Sequence, residues 1–346
     1  MKFILVLIVI ILSLSLPVSA MEFIAPAAPE DAQKFMPEDT ESFGEGLWYI
    51  IKKAMEEVGP ELVDASKVCL SLIAVVILLN IADTMSEKAG RAVRMTGAVL
   101  IGLILLEPTN TLVHLGNQAV TQTSEYGKLV VPVMTAALAA QGGSTSSAVL
   151  CTATVFFNTL LTSAITKLLL PMVNIYLCLS VANQAVGQQM LKSVQKSVKS
   201  LITWMLKCIL YVFTGYISIT GVVSGAVDAS AIKAAKLAIS GVVPVVGGIL
   251  SDASEAVLVG AGVMKSAAGI YGILAVIAVC IGPFLQIGSR YLMMKLTAGI
   301  CGIIGNKQFS DLIEDISSGM GLVLAMTGTV CLMLLISLVC FMRGVG

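Results

Sequence analysis

Charge is scarce in this sequence. Only 12% of its 346 residues are Asp, Glu, Lys or Arg, about half the share of an ordinary soluble domain. So few charges cannot cover a water-facing surface, and the mean hydropathy is +0.95. A multi-span membrane protein is the class that remains. Histidine is nearly absent: His114 is the only one. It has no Cys or carboxylate cluster at ligand spacing, so no metal site is expected. The eight cysteines lie in or beside apolar runs and form no C-x-x-C pair. They read as small buried hydrophobes rather than disulfides or ligands. No Walker loop, H-E-x-x-H or G-x-S-x-G motif is present, so neither an enzyme nor a cofactor is expected. No cationic stripe exists for nucleic acid. Barrel strands alternate apolar and polar residues, whereas these runs are uninterrupted.

What charge there is, is segregated. Lysines and arginines number 21, as do acids, so the formal net charge is zero. Residues 21–67 hold eleven acids and four lysines; residues 68–346 hold ten acids and sixteen bases. Ahead of both lies 1–20, with Lys2, an apolar stretch Phe3–Leu16 and small residues to Ala20. That is the pattern of a cleavable signal peptide; the alternative is an uncleaved first membrane helix. Three regions follow: signal 1–20, an exported acidic segment 21–67, and a polytopic domain 68–346. Within the second, 21–46 reads as a flexible tail. Leu47, Ile50, Ile51, Ala54, Met55 and Val58 fall at helical spacing, and Gly59-Pro60 is expected to stop that helix. It would lie on the membrane with Trp48 and Tyr49 at headgroup level, or dock a partner or another part of this chain.

Ten apolar runs follow between Val68 and Met342. Several fall below the ~17 residues a span needs, which suggests half-helices or re-entrant hairpins and some six to eight crossings. The positive-inside rule places the loop with Lys88, Arg91 and Arg94 in the cytoplasm, together with Lys192, Lys196 and Lys199. Those three lysines share one face of an amphipathic helix. They serve as a topology signal or as a contact for anionic lipid or an acidic partner. Glu107–Gly127 has no Lys or Arg and two acids, and reads as an external segment.

An internal repeat is visible at an offset of 112 residues. Val130-Val131-Pro132-Val133 recurs as Val242-Val243-Pro244-Val245, and Pro171 recurs as Pro283. Three residues after each of the latter prolines sits an amide, Asn174 and Gln286. The copies start on the same side, so the repeat is parallel. Pro132 and Pro244 each lead toward a Gly/Ser-rich turn, as broken transporter helices do; two capped helix hairpins are the plainer explanation. Asn174 and Gln286 either satisfy carbonyls freed by proline or line a pore. The candidate pore or repeat-interface set is therefore Asn174, Gln286, Pro132, Pro171, Pro244 and Pro283. Other polar groups within the apolar body are Lys167, Lys207, Arg290, Lys295, Asn158, Asn183 and Gln184.

The segments Tyr126–Ser147 (YGKLVVPVMTAALAAQGGSTSS), Lys236–Leu258 (KLAISGVVPVVGGILSDASEAVL) and Met264–Gly272 (MKSAAGIYG) resemble the stage III sporulation protein AE family. The resemblance covers roughly 60–343 and agrees in the order of features. It implies a membrane component of the channel assembly that links the mother cell to the engulfed forespore. Such a protein sits in the mother-cell membrane among other membrane proteins of that complex, and a homo-oligomer is compatible with it. The family has a permease-like look but no agreed transport residues to carry over. The alternative is a secondary transporter of a small solute with its site at the repeat interface. Against that stands the lack of any intramembrane carboxylate suited to ion coupling.

Overall fold

The structure, a computed structural model, describes residues 26–37, 42–85, 90–140, 144–187, 189–219, 267–304 and 307–343. The signal peptide, Gly142-Gly143, Val242–Val245 with Pro244, and the turn after Pro244 lie outside those residues.

Every regular element described is helical. A short α1 (Glu30–Gln33) precedes α2 (Phe43–Met85) and α3 (Gly90–Ala140). Then come α4 (Ser144–Ala164), a π turn (Ile165–Leu169) and α5 (Leu170–Val186). The last three are α6 (Gln189–Ile219), α7 (Ala267–Ile304) and α8 (Lys307–Arg343). Six helical stretches among the described residues are long and apolar enough to cross a membrane. This is the architecture of a multi-pass membrane protein.

The helices are fewer and longer than the apolar runs predict, because prolines expected to break them do not. Pro60 lies inside α2, Pro108 and Pro132 inside α3, and Pro283 inside α7. A helical proline frees the carbonyl four residues earlier. Gly59, Pro60 and Pro132 sit on exposed faces, so the defect is directed away from the packed side. Buried residues before and after hold each helix straight through: Ile50, Ala54, Ala65 and Cys69 around Pro60, and Val130, Val131 and Met134 around Pro132. The expected stop at Gly59-Pro60 is thus corrected. The composition boundary at residue 67 falls within one 43-residue helix. Glu107–Gly127 likewise continues α3, since Leu112, Ala119 and Val120 bury one side of it. Among the described residues, only before Pro171 does the ladder change, to the π turn.

The α7–α8 hairpin is the centre of the bundle. In the most apolar 18 residues of α8, 67% are buried, against 22% in α2 and in α6. Helix α8 packs on α3, α4, α5, α6 and α7, and α7 packs also on α2. Close approach requires glycine at two places on α3. A Cβ at Gly116 would run into Val323 of α8, and one at Gly97 would lie 2.7 Å from the Phe309 ring.

Three turns gather at one end. Arg94 pairs with Asp83 at 3.3 Å across the α2–α3 turn. Asn80 donates to the carbonyl of Ile304 at the end of α7. Gln308, at the start of α8, donates to the Gln184 carbonyl near the end of α5. The loops carrying the basic residues therefore share one end of the bundle, as the charge pattern predicts.

Candidate functional site

The opposite half of the bundle holds a cavity of about 170 Å³. Its walls are α2, α3 and α7, and residues 26–37 close it. That strap is anchored by apolar burial: Ala28, Ala32 and Phe35 are each 3% exposed or less. Phe35 rests on Gly282, where a Cβ would come within 3.0 Å of its ring. Tyr126 donates its hydroxyl to the Pro26 carbonyl at 3.2 Å. Lys34 pairs with Glu57 at 3.0 Å on the rim. Because this ion pair is well exposed, its contribution is at most about 1 kcal/mol; the buried Phe35 is the stronger anchor.

Gln118, Gln122 and Gln286 bring amides to the cavity wall. Amides both donate and accept, so the lining suits a small neutral or zwitterionic polar group between apolar walls from Pro29, Phe35 and Pro283. Among the described residues there is no group of three His, Cys, Asp or Glu that could hold a metal.

The candidate set from the sequence is divided by the fold. Gln286 and Pro283 line this cavity. Asn174 and Pro171 lie on the exposed side of α5, and Pro132 on the exposed side of α3. Pro244 lies outside the described residues. The two amides that share a spacing after proline thus occupy different surroundings.

The lysines on α6 stand at the basic end. Lys192 and Lys196 are exposed, while Lys199 is half-buried and interacts electrostatically with Asp315 of α8. Gln195, on the buried side of the same turn, donates to Ser180 of α5 at 2.9 Å. Lys295 of α7 pairs with Glu314 of α8 at 2.6 Å. A polar seam thus ties α5, α6, α7 and α8 together beneath the exposed lysines.

Arg290, one of the charges within the apolar body, has a partner on another helix. It donates to Glu61 of α2 at 2.7 Å, with both side chains about three-quarters buried. This joins the acidic segment to the membrane domain. Of the three roles open to the 47–58 helix, docking on its own chain is the one seen: Ile50 and Ala54 are buried, and Trp48 and Tyr49 are exposed. The strap residues carry no sequence motif. Only the apolar spacing of Ala28, Ala32, Phe35 and Met36 hints at a docked segment.

The stage III sporulation protein AE of Bacillus subtilis (strain 168) is 23% identical over 272 residues, 78% of this chain and 68% of that protein. No solved structure matches. The family model for stage III sporulation protein AE matches residues 33–344, from the strap through the whole of α8, and the chain belongs to that family.

Proposed function

We propose that this protein is an integral membrane subunit of the channel or secretion-like assembly that joins mother cell and forespore, and that forespore development needs it. Family membership supplies the sporulation context. The observation that carries the subunit reading is helix length. Helix α3 has 51 residues, roughly 76 Å at about 1.5 Å per residue, more than twice a hydrocarbon core of about 30 Å. Much of the bundle therefore stands clear of lipid. On that part α2 and α3 expose acids, amides and hydroxyls to neighbouring proteins. In this reading the basic end faces the mother-cell cytoplasm and the acidic segment faces the forespore. Partners are other membrane proteins of the assembly, a second copy of the chain, and lipid headgroups at Lys192 and Lys196; neither nucleic acid nor a cofactor is involved, and no reaction is catalysed.

The test is affinity purification in mild detergent from sporulating cells. Other membrane components should be recovered with the chain. Recovery of the chain alone would favour the second reading, a secondary transporter, whose supporting observation is the amide-lined cavity at Gln286. Cysteines placed at Ser193 and Asp39 should label from opposite sides of the membrane; labelling from one side would overturn the orientation.

A further inference from the structure

One row of α4 carries three buried oxygens that have no hydrogen-bond partner in the protein. They are Oγ1 of Thr154, Oδ1 of Asn158 and Oγ1 of Thr162. The residues are four apart, so they lie in line on one side of the helix. Thr154 and Asn158 are 1% and 2% exposed. All three lie within a helical stretch long and apolar enough to cross a membrane.

The threonines depart from the habit of this bundle. Thr111, Thr121, Thr135, Thr203, Thr297 and Thr329 each donate to the carbonyl four residues back. So does Thr166, the next residue of the same row, at 2.9 Å. Thr154 and Thr162 forgo that bond.

The orientation of Asn158 is fixed by its neighbours. Its Nδ2 donates to the carbonyl and to Oγ of Ser124 on α3, both at 3.3 Å. A carbonyl only accepts, so the amide nitrogen must face it, and Oδ1 faces the other way. That oxygen needs a donor. On the nitrogen's side the packing is close: a Cβ at Gly127 of α3 would come within 3.1 Å of Nδ2. Thr109 Oγ1 and Arg290 Nε are also unpartnered, but each is on another helix and stands alone.

We propose that the Thr154–Asn158–Thr162 row is a water-binding seam between α3 and α4. Neighbouring Cβ atoms in such a row are about 5–6 Å apart, the span of two hydrogen bonds end to end. One water between each pair donates to Asn158 Oδ1 and joins it to a threonine hydroxyl. Water is the ligand because the row offers acceptors and hydroxyls but no charge, and because a dry acceptor in a membrane span has no other source of a donor.

The test is water-edited solid-state NMR of the full chain in bilayers, with Thr154→Val as the near-isosteric probe. The Asn158 side-chain amide is assigned by its loss in Asn158→Leu. It should gain magnetisation from water within about twofold of the exposed Asn117, and Thr154→Val should slow that gain at least about twofold and lower the melting temperature. A dry seam predicts the reverse. Transfer to Asn158 no faster than to buried core amides, with Thr154→Val melting at the same or a higher temperature, would overturn the proposal. Thr162→Val gives a second reading of both quantities if Asn158→Leu does not fold.

Discussion

Two stretches of α3 lie end to end on one helix and present different outsides. Between 95 and 106 the exposed side chains are Met95, Val99, Leu100, Leu103 and Leu106, with Thr96 the one polar exception. Between 107 and 125 they are Glu107, Asn110, Thr111, His114, Asn117, Gln118 and Glu125. Their inner faces share an apolar core, Ala98, Ile101 and Leu105 in the first and Leu112, Ala119 and Val120 in the second, where Thr109, Thr123 and Ser124 are buried as well. Helix α2 repeats the contrast only in part and in reverse chain order: Leu70, Ile77, Leu78, Ile81 and Met85 are exposed toward the basic end, while its acidic half exposes Trp48, Tyr49, Met55, Leu62 and Val63 among its charges. A helix interior packs against neighbours in the same way in either solvent, so it carries no record of the membrane. Only the outside does, because a side chain facing hydrocarbon must be apolar and one facing water need not be.

The largest test of this contrast places one charge on each stretch. Leu103→Asp should raise the free energy of membrane insertion by about 3 kcal/mol. Asn117→Asp should stay within about 0.5 kcal/mol of the parent. A glycosylation-reporter insertion assay reads both. Equal costs at the two sites would erase the distinction between the stretches.

A smaller effect probes the likeness of the two interiors. Gly116→Ala meets Val323 in the polar-sided stretch, and Gly97→Ala meets Phe309 and Leu79 in the apolar-sided one. Helical Gly→Ala ordinarily stabilises by about 0.5–1 kcal/mol. Here overpacking should reverse the sign and cost about 1–3 kcal/mol at both sites. Thermal unfolding in detergent measures it, and Val323→Ala should recover part of the loss at Gly116. A cost at one site alone would mean that the two interiors differ.

At the junction stands Arg290–Glu61. A double-mutant cycle with Arg290→Gln and Glu61→Gln should give a coupling of about 1–2 kcal/mol, between the values for exposed and buried pairs. Coupling near zero would place the pair in open water. The smallest effect belongs to the basic end. Lys192→Gln with Lys196→Gln should leave the melting temperature unchanged, within about 0.5 kcal/mol, since both side chains are exposed. A larger loss would show that these lysines are structural.

Among the cavity and repeat candidates, Gln286→Leu should alter sporulation efficiency, while Asn174→Leu alone should leave both fold and efficiency unchanged. The two amides look equivalent in sequence because each follows a proline at the same spacing. The helical phase of each against its neighbours separates them, and a proline spacing does not encode that phase. The strap shows the same limit. Phe35 and Gly282 are 247 positions apart, and nothing local to either announces the other. The Thr154–Asn158–Thr162 row was open to a reading at period four, yet threonines in apolar helices are common, and only the missing partners single these out.

Taken alone, the sequence determined the class, the family and the segregation of charge, because these depend on composition and local pattern. It also placed the basic turns together, since charges sort by side of the membrane whatever the helices do between. Which prolines would break a helix was settled only by tertiary structure. At Pro60 and Pro132 the lost backbone bond faces outward and the buried face is held on both sides, while at Pro283 it borders the cavity; each is a property of neighbours rather than of the proline. The charge scarcity itself reads differently once the fold is known. Much of the apolar sequence, above all in α7 and α8, is buried against protein, and only part of it faces lipid.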